Sequence, residues 1–432
     1  MRDSRRSIFG WVMYDWANSA FTTTVMAGFF PLFFKQFWSA GVDVTVSTAR
    51  LGVGNSIAGI VIALSAPFLG AIADSGSLRK RFLIVGAYIG VISTLGLMFV
   101  GRGNWMAAAI LFIIGALGFS GANIFYDALL TVVSSAKRMN MVSAMGYSLG
   151  YLGGGLLFAL NVIMTLHPEW FGLSTAETAV RLSFLSVAVW WGLFTIPLIL
   201  YVREPKNGRN TSYQSLVYSG FHRLGHTIRE IRSLKTVSLF LVAYWLYIDG
   251  VDTIVRMAVD YGMSLGFDSN DLILALLITQ FVGFPAALFF GKVGDRIGAK
   301  PAILTAICIY IMVSIWGACL STSRDFYILA ITIGLVQGGI QALSRSFYAR
   351  IIPAEKSAEY FGFYNMLGKF AVVIGPALIG GVGLLARRMG AQGSVPSRIG
   401  ITSISLLFVL GGVLLLGVNE QRARQEIQSV EE

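Results

Sequence analysis

The stretch VSLFLVAYWLYIDGVDTIVRMAVDYG, from Val237 to Gly262, is long and apolar enough to cross a bilayer. It nevertheless carries Asp249, Asp252, Arg256 and Asp260, at spacings of i, i+3, i+7 and i+11. At about 100° per residue these four share one narrow helical stripe, with Trp245 a turn below. A charge at the bilayer centre costs on the order of 3 kcal/mol even on the mildest scale. Such residues face a bundle interior or a water-filled path, so the rest of the chain has to supply a bundle around this helix.

The composition agrees. Of 432 residues, 55% are hydrophobic and only 13% charged, about half the charged fraction of a soluble domain. The first apolar stretch is too long for a cleavable signal and lacks a small-residue cleavage site. Cys308 and Cys319 fall about 16 Å apart along one helix, too far for a disulfide. A net charge of +11 raises the question of nucleic acid. The placement of the basic residues answers it, because they alternate from loop to loop as in a membrane protein, and no nucleic-acid partner is expected.

Twelve crossings can be drawn, at about 9–37, 49–73, 82–101, 105–133, 139–166, 180–202, 237–262, 271–291, 300–320, 325–347, 357–384 and 398–418. Basic residues gather at the N-terminus (Arg2, Arg5, Arg6) and in the even-numbered loops (Arg79, Lys80, Arg81; Lys137, Arg138; Lys292, Arg296, Lys300; Arg345, Arg350, Lys356). The central loop adds Arg203, Lys206, Arg209, Arg223, Arg229, Arg232 and Lys235. Arg387, Arg388 and Arg398 make the last outer loop an exception. Both termini are therefore expected in the cytoplasm, with the protein in the plasma (inner) membrane.

The central loop divides the chain into a bundle of six helices (1–202), a linker (203–236) and a second bundle with a tail (237–432). Val217, Phe221, Leu224, Ile228, Ile231 and Leu234 recur at helical spacing opposite the basic residues, which predicts an amphipathic helix on the inner membrane surface. His222 and His226 lie four apart there, but no third ligand is in view and no metal site is expected. The two halves echo each other. Gly70 and Asp74 precede Arg79-Lys80-Arg81 between spans 2 and 3, and Gly291 and Asp295 precede Arg296 between spans 8 and 9. The expected fold is an all-α membrane protein, twelve transmembrane helices in two pseudo-symmetric six-helix bundles.

At these positions the sequence resembles the major facilitator superfamily, whose loop signature is a glycine, an aspartate four residues later, then basic residues. The second copy is the cleaner match; the first has Ser75-Gly76-Ser77-Leu78 where Arg and Gly are the rule. Span 4 lacks the arginine usual in proton-driven drug antiporters, which argues against a drug pump. Tyr14-Asp-Trp-Ala-Asn-Ser-Ala20, Asp252-Thr-Ile-Val-Arg-Met-Ala258, Thr279-Gln-Phe-Val-Gly-Phe-Pro285, Ser344-Arg-Ser-Phe-Tyr-Ala-Arg350 and Phe361-Gly-Phe-Tyr-Asn-Met-Leu-Gly-Lys-Phe370 resemble the vacuole-effluxer-like branch, named for fungal autophagy-related proteins that release amino acids from the vacuole. The resemblance implies an alternating-access secondary transporter, with spans 1, 4, 7 and 10 lining a central cavity. It also implies a conformational role for Gly70, Asp74, Gly291, Asp295, Arg296 and Arg345.

Polar residues fit that arrangement. Span 1 presents Asp15, Asn18 and Thr22 on one face, span 4 Asn123 and Asp127, span 10 Gln337 and Gln341, and span 11 Asn365 and Lys369. Arg256 or Lys369 would suit a carboxylate and Asp249 or Asp252 an ammonium, so a zwitterion meets both signs. The competing reading is that Asp252 and Arg256 pair with each other, or with Lys369, and merely hold the bundle. Asp15 and Asp127 lie nearer the cytoplasmic ends, as gate or proton-carrying residues, with Asp127 the first candidate for proton coupling.

The expected activity is efflux or exchange of an amino acid or similar small zwitterion, with protons or Na+ as coupling ion. A cation-coupled symporter of a sugar or peptide is the alternative. From other classes, a membrane-embedded transferase would need a catalytic cluster, and none is visible; a non-transporting sensor is the third reading. There is no P-loop, and no cofactor is expected. Gly146, Gly150, Gly153, Gly154 and Gly155 in span 5, and Gly375, Gly380 and Gly381 in span 11, permit close helix contact. Pro31, Pro67, Pro197, Pro285 and Pro376 offer places to bend.

Overall fold

A backbone in lipid has no water to bond its N–H and C=O groups, so it has to satisfy them within itself. In the computed structural model the described residues accordingly form helices and no strand. The structure describes residues 2–42, 44–204, 229–231, 233–370 and 374–431. Among them, eleven helices are long and apolar enough to cross a membrane. The first expected crossing supplies the twelfth.

That first crossing is not a plain α-helix. α1 (Arg5–Ala20) continues as a π-helical stretch over Phe21–Phe29, a short α-helical turn at Phe30–Phe33 and a second π-helical stretch over Phe34–Trp38. Pro31 has no N–H to return to the preceding turn, and a widened helix absorbs the mismatch.

The following helices are α2 (Val44–Gly76), α3 (Arg79–Leu97), α4 (Trp105–Val133), α5 (Met139–Leu166) and α6 (Ala176–Tyr201). The second half begins with α7 (Lys235–Ser264), α8 (Ser269–Ile297), α9 (Ala299–Gly317) and α10 (Ser323–Arg350). The eleventh crossing, expected as one helix over 357–384, is described as α11 (Ser357–Phe370) and α12 (Ile374–Arg388), with 371–373 outside the described residues. The twelfth is two pieces, α13 (Val395–Ser403) and α14 (Ser405–Leu416), and a polar helix α15 (Glu420–Glu431) follows. Most of the expected surface helix of the central loop, with His222 and His226, lies outside the described residues.

The helices form two compact units. The first includes most of the first-half helices together with Ala358–Asn365. The second takes Ser135–Ser148, the start of α5 and the residues before it, with most of the second half. Within the first unit α1 packs on α6, α2 on α4, and α3 on both α4 and α6. Within the second, α7 packs on α14, α8 on α10, and α9 on both α10 and α14. In crossing order these are the same pairings, so the repeat suggested by the two glycine–aspartate loops extends to how each unit is packed. Residues such as Leu64, Ile92, Leu193, Phe289 and Val413 are exposed, the apolar surface a lipid-embedded bundle requires.

Basic residues at the expected outer ends have structural employment. Arg181 donates to the carbonyl of Met98 at 2.8 Å, just past the end of α3. Arg398 donates to the carbonyls of Ala318 and Leu320 at 2.5 and 2.7 Å, just past the end of α9. A guanidinium there satisfies the carbonyls a helix leaves open and suits the negative end of its dipole. Arg398 thus departs from the charge rule because it closes a helix.

Candidate functional site

α7 carries the charge stripe into the second unit. Asp249 is wholly buried, and its Oδ1 accepts hydrogen bonds from Thr253 Oγ1 at 3.1 Å and from the backbone N–H of Gly375 at 3.0 Å. Gly375 is the second residue of α12, and a Cβ there would collide with Thr253. The glycine therefore lets α12 pass directly against the carboxylate. The other oxygen of Asp249 is buried with no hydrogen-bond partner among the described residues.

Asp252 and Lys369 are partly exposed and Arg256 is exposed. The three interact electrostatically, Asp252 with both cations and the two cations with each other. Asp252 and Arg256 do not close into an ion pair or hydrogen bond along the helix, and Lys369 makes none with either. The side chain of Asp260 lies outside what the structure describes. Tyr310 of α9 is buried, stacks on Phe408, faces Asp252 electrostatically, and has no partner for its hydroxyl. Another face of α7 borders an apolar cavity of about 60 Å³, whose walls include Ile254, Ala258, Leu272, Phe326 and Gln337. The Oε1 of Gln337 is buried there without a partner.

In the first unit the expected residues meet in pairs. Asn18 donates to Asn123 Oδ1 at 2.7 Å, tying α1 to α4. Asp15 accepts from the hydroxyl of Tyr126 at 3.0 Å, and Asp127 accepts from Asn365 Nδ2 at 3.1 Å. Asp15 and Asp127 are both buried. α5 lies against α1 through its glycines; a Cβ at Gly153 would stand 2.7 Å from the Trp16 carbonyl oxygen.

The two signature loops differ in what they bond. Asp74 accepts from Arg79 Nε at 2.5 Å and from the backbone N–H groups of Ala358 and Glu359 at 3.2 and 2.9 Å, at the start of α11. A carboxylate suits those open N–H groups and the positive end of the helix dipole. Gly70 sits against the Ala358 carbonyl with no room for a side chain, and across the same crossing a Cβ at Gly362 would lie 2.6 Å from the Ala66 carbonyl oxygen. In the second copy Gly291 is the part that packs, since a Cβ there would lie 2.6 Å from Ala144 Cβ. Asp295 and Arg296 are exposed and neither bonds another described residue. The cleaner sequence match is thus the less engaged one.

Arg345 is only 2% exposed and serves instead. Its Nε donates to Ser143 Oγ at 2.9 Å, its Nη2 donates to the Ser143 carbonyl at 2.9 Å, and its guanidinium lies over Tyr147 at 4.3 Å. Beside it Ser346 donates to Asn140 Oδ1 at 2.7 Å.

Three participants were not singled out by spacing. Glu204 accepts from the backbone N–H groups of Arg79 and Lys80 at 3.2 and 3.1 Å, capping α3 from the far end of the first half. Burial pushes its carboxyl above the usual range, against the pull of those donors and of Arg79. Its one legible signal is that it is one of only two acids, with Glu230, among the basic residues of the central loop. Tyr310 and Thr253 lack even that, since a hydroxyl in an apolar span is ordinary. Among the described residues no cluster of three or more His, Cys, Asp or Glu could hold a metal.

Comparison with known proteins agrees with this architecture. The model of the "Vacuole effluxer Atg22 like" family matches residues 39–137 and 131–428. The MFS-type transporter YxiO of Bacillus subtilis (strain 168) is 41% identical over 414 residues, 95% of this chain and 94% of that protein. Autophagy-related protein 22 of Coccidioides immitis (strain RS) is 23% identical, over 99% of this chain and 89% of its own length. Among solved structures, the human organic anion transporter MFSD10 superposes with a TM-score of 0.70 at 14% identity, covering 96% of this chain and all (100%) of that one. The proton:xylose symporter XylE superposes at 0.69 and 12% identity, over 95% of this chain and 94% of its own. These two likenesses establish the fold. The chain is a multi-pass membrane transporter of the major facilitator superfamily, not an enzyme, and belongs to the Atg22-like vacuole effluxer family.

Proposed function

We propose that the protein moves a small zwitterion, an amino acid or a close analogue, by alternating access, in the direction of efflux or exchange. The observation that carries this reading is the open charge set of the second unit: Asp252, Arg256 and Lys369 share a field without closing into ion pairs. A charge pair that held the bundle would be expected to sit in contact, whereas these groups stay apart on a partly exposed face. With two cations and one anion the set carries an excess positive charge. A carboxylate between Arg256 and Lys369, with its ammonium toward Asp252, would balance it. Asn18, Asn123 and Gln337 are further candidates for cargo contact, and Asp15, Asp127 and Asn365 for gating. The Bacillus and fungal relatives lend the efflux direction only through the family name. Both termini are placed in the cytoplasm, in a plasma membrane, from the basic residues of the even-numbered loops.

A thermal-shift screen of detergent-solubilised protein tests the cargo. Neutral amino acids should raise the melting temperature and sugars should not, because a ligand that binds only the folded state stabilises it in proportion to its occupancy. Stabilisation by a sugar or peptide alone would favour a cation-coupled symporter. Stabilisation by no solute would favour a sensor.

A further inference from the structure

We propose that Asp249 is the proton-binding residue of the transport cycle, and that its protonation governs how firmly α12 is held to α7. The inference rests on the transporter reading and not on the identity of the cargo.

The geometry is that of a half-satisfied acid. Asp249 has 0% exposure; Thr253 Oγ1 and the Gly375 N–H address the same oxygen, and the Ile374 N–H also acts on the carboxyl. The second oxygen meets no donor or acceptor. An ionised carboxylate left this way in a membrane interior forfeits far more free energy than a neutral carboxyl, which asks little of the bare oxygen. One proton added at Oδ2 converts the carboxylate to a carboxylic acid. It leaves Oδ1 a weaker acceptor for Gly375 and Thr253, since hydrogen bonds to an ionised group are roughly twice as strong. Loss of that proton to water restores both bonds to full strength. A bound Na+ would need several converging oxygens, and this carboxyl offers one bare oxygen, so a proton is the better fit.

The surroundings suit a proton coupled to cargo. Asp252, carrying the same charge, follows one turn along α7, with Arg256 beyond it and Lys369 from α11. α9 brings Tyr310. Tyr247, also on α7, is engaged with Ser344 of α10 at 2.7 Å. α14 contributes no titratable residue, and the charged residues of α8, α10 and α12 stand near their helix ends. α15 meets α7 at its other end, where Glu426 accepts from the N–H of Thr236. A cargo cation or anion at Asp252 and Arg256 therefore alters the field at Asp249 within a turn.

Infrared difference spectra of ligand-free protein in lipid bilayers, recorded against pH, test this directly. Lowering the pH of the wild type should raise a protonated-carboxyl C=O band. Asp249→Asn, which resembles the protonated side chain, should lose one component of that band while Asp127→Asn keeps it. Thr253→Val removes one donor from the same carboxyl. It should keep the component and move its midpoint about one pH unit upward, which also tests the assignment if Asp249→Asn folds poorly. Spectra of Asp249→Asn that superimpose on the wild type, or a midpoint unmoved in Thr253→Val, would overturn the assignment. Failure of every amino acid in the thermal-shift screen would leave these spectra unaffected, so the two readings fail separately.

Discussion

Arg256 and Lys369 lie within the crossings yet hold no hydrogen bond or ion pair among the described residues, unlike the buried or helix-closing cations. Arg345 is spent on Ser143, Arg79 on Asp74, and Arg398 on the end of α9. A charge-assisted hydrogen bond contributes about 1.5–3 kcal/mol, or roughly a 10- to 150-fold change in affinity. Arg256→Ala and Lys369→Ala should each weaken cargo binding by about that factor while leaving the melting temperature nearly unchanged, as binding titrations and melting curves would establish. Arg345→Ala should do the opposite, lowering stability by about 3 kcal/mol because buried acceptors lose their donor. Glu204 offers a pH test. Its carboxyl is raised by burial, so the folded state holds the proton more tightly than the unfolded chain does. Its contribution to stability therefore falls as the pH rises from the unfolded value through the folded one. Glu204→Gln keeps an acceptor for the start of α3 and removes that charge, so melting curves should show a flatter stability profile in mildly acidic buffer and no loss at neutral pH. Glu204→Ala should cost about 1 kcal/mol, the usual loss of a helix cap.

At the scale of the elements, the crossings were legible because an apolar run of bilayer length has few other uses. Their side-chain engagements were not. Gly375 sits inside an apolar run, and only the fold brings Asp249, 126 residues away in sequence, to its N–H. The π-helical course of the first crossing likewise depends on how the chain relaxes around Pro31, which composition does not record. The signature loops give a similar lesson. Spacing identified Asp74 and Asp295 as equivalents, yet only Asp74 has the start of α11 to accept from, a difference made by tertiary neighbours. Gly70 and Gly362 together allow α2 and the start of α11 to meet backbone to backbone. Gly362→Ala should therefore lower stability by about 1–3 kcal/mol through overpacking, read as a drop in melting temperature. Gly380→Ala, with open space around the added methyl, should leave it unchanged.

Across the whole molecule, the repeat visible in two short loops extends to matching pairings of helices within each unit. The proposed orientation follows from the basic loops, with Arg181 and Arg398 accounted for as helix-closing residues. In a background lacking Cys308 and Cys319, cysteines introduced at Ser4 and Ser429 should react with an impermeant maleimide only in inverted vesicles. Labelling from outside would reverse the orientation. The charges within α7 remain the centre of the account, and counterflow in proteoliposomes tests them most directly. Vesicles preloaded with a neutral amino acid should take up the radiolabelled form saturably, and Arg256→Ala should raise the half-saturating concentration about tenfold or more. Counterflow indistinguishable between wild type and Arg256→Ala, or absent for every neutral amino acid, would contradict it.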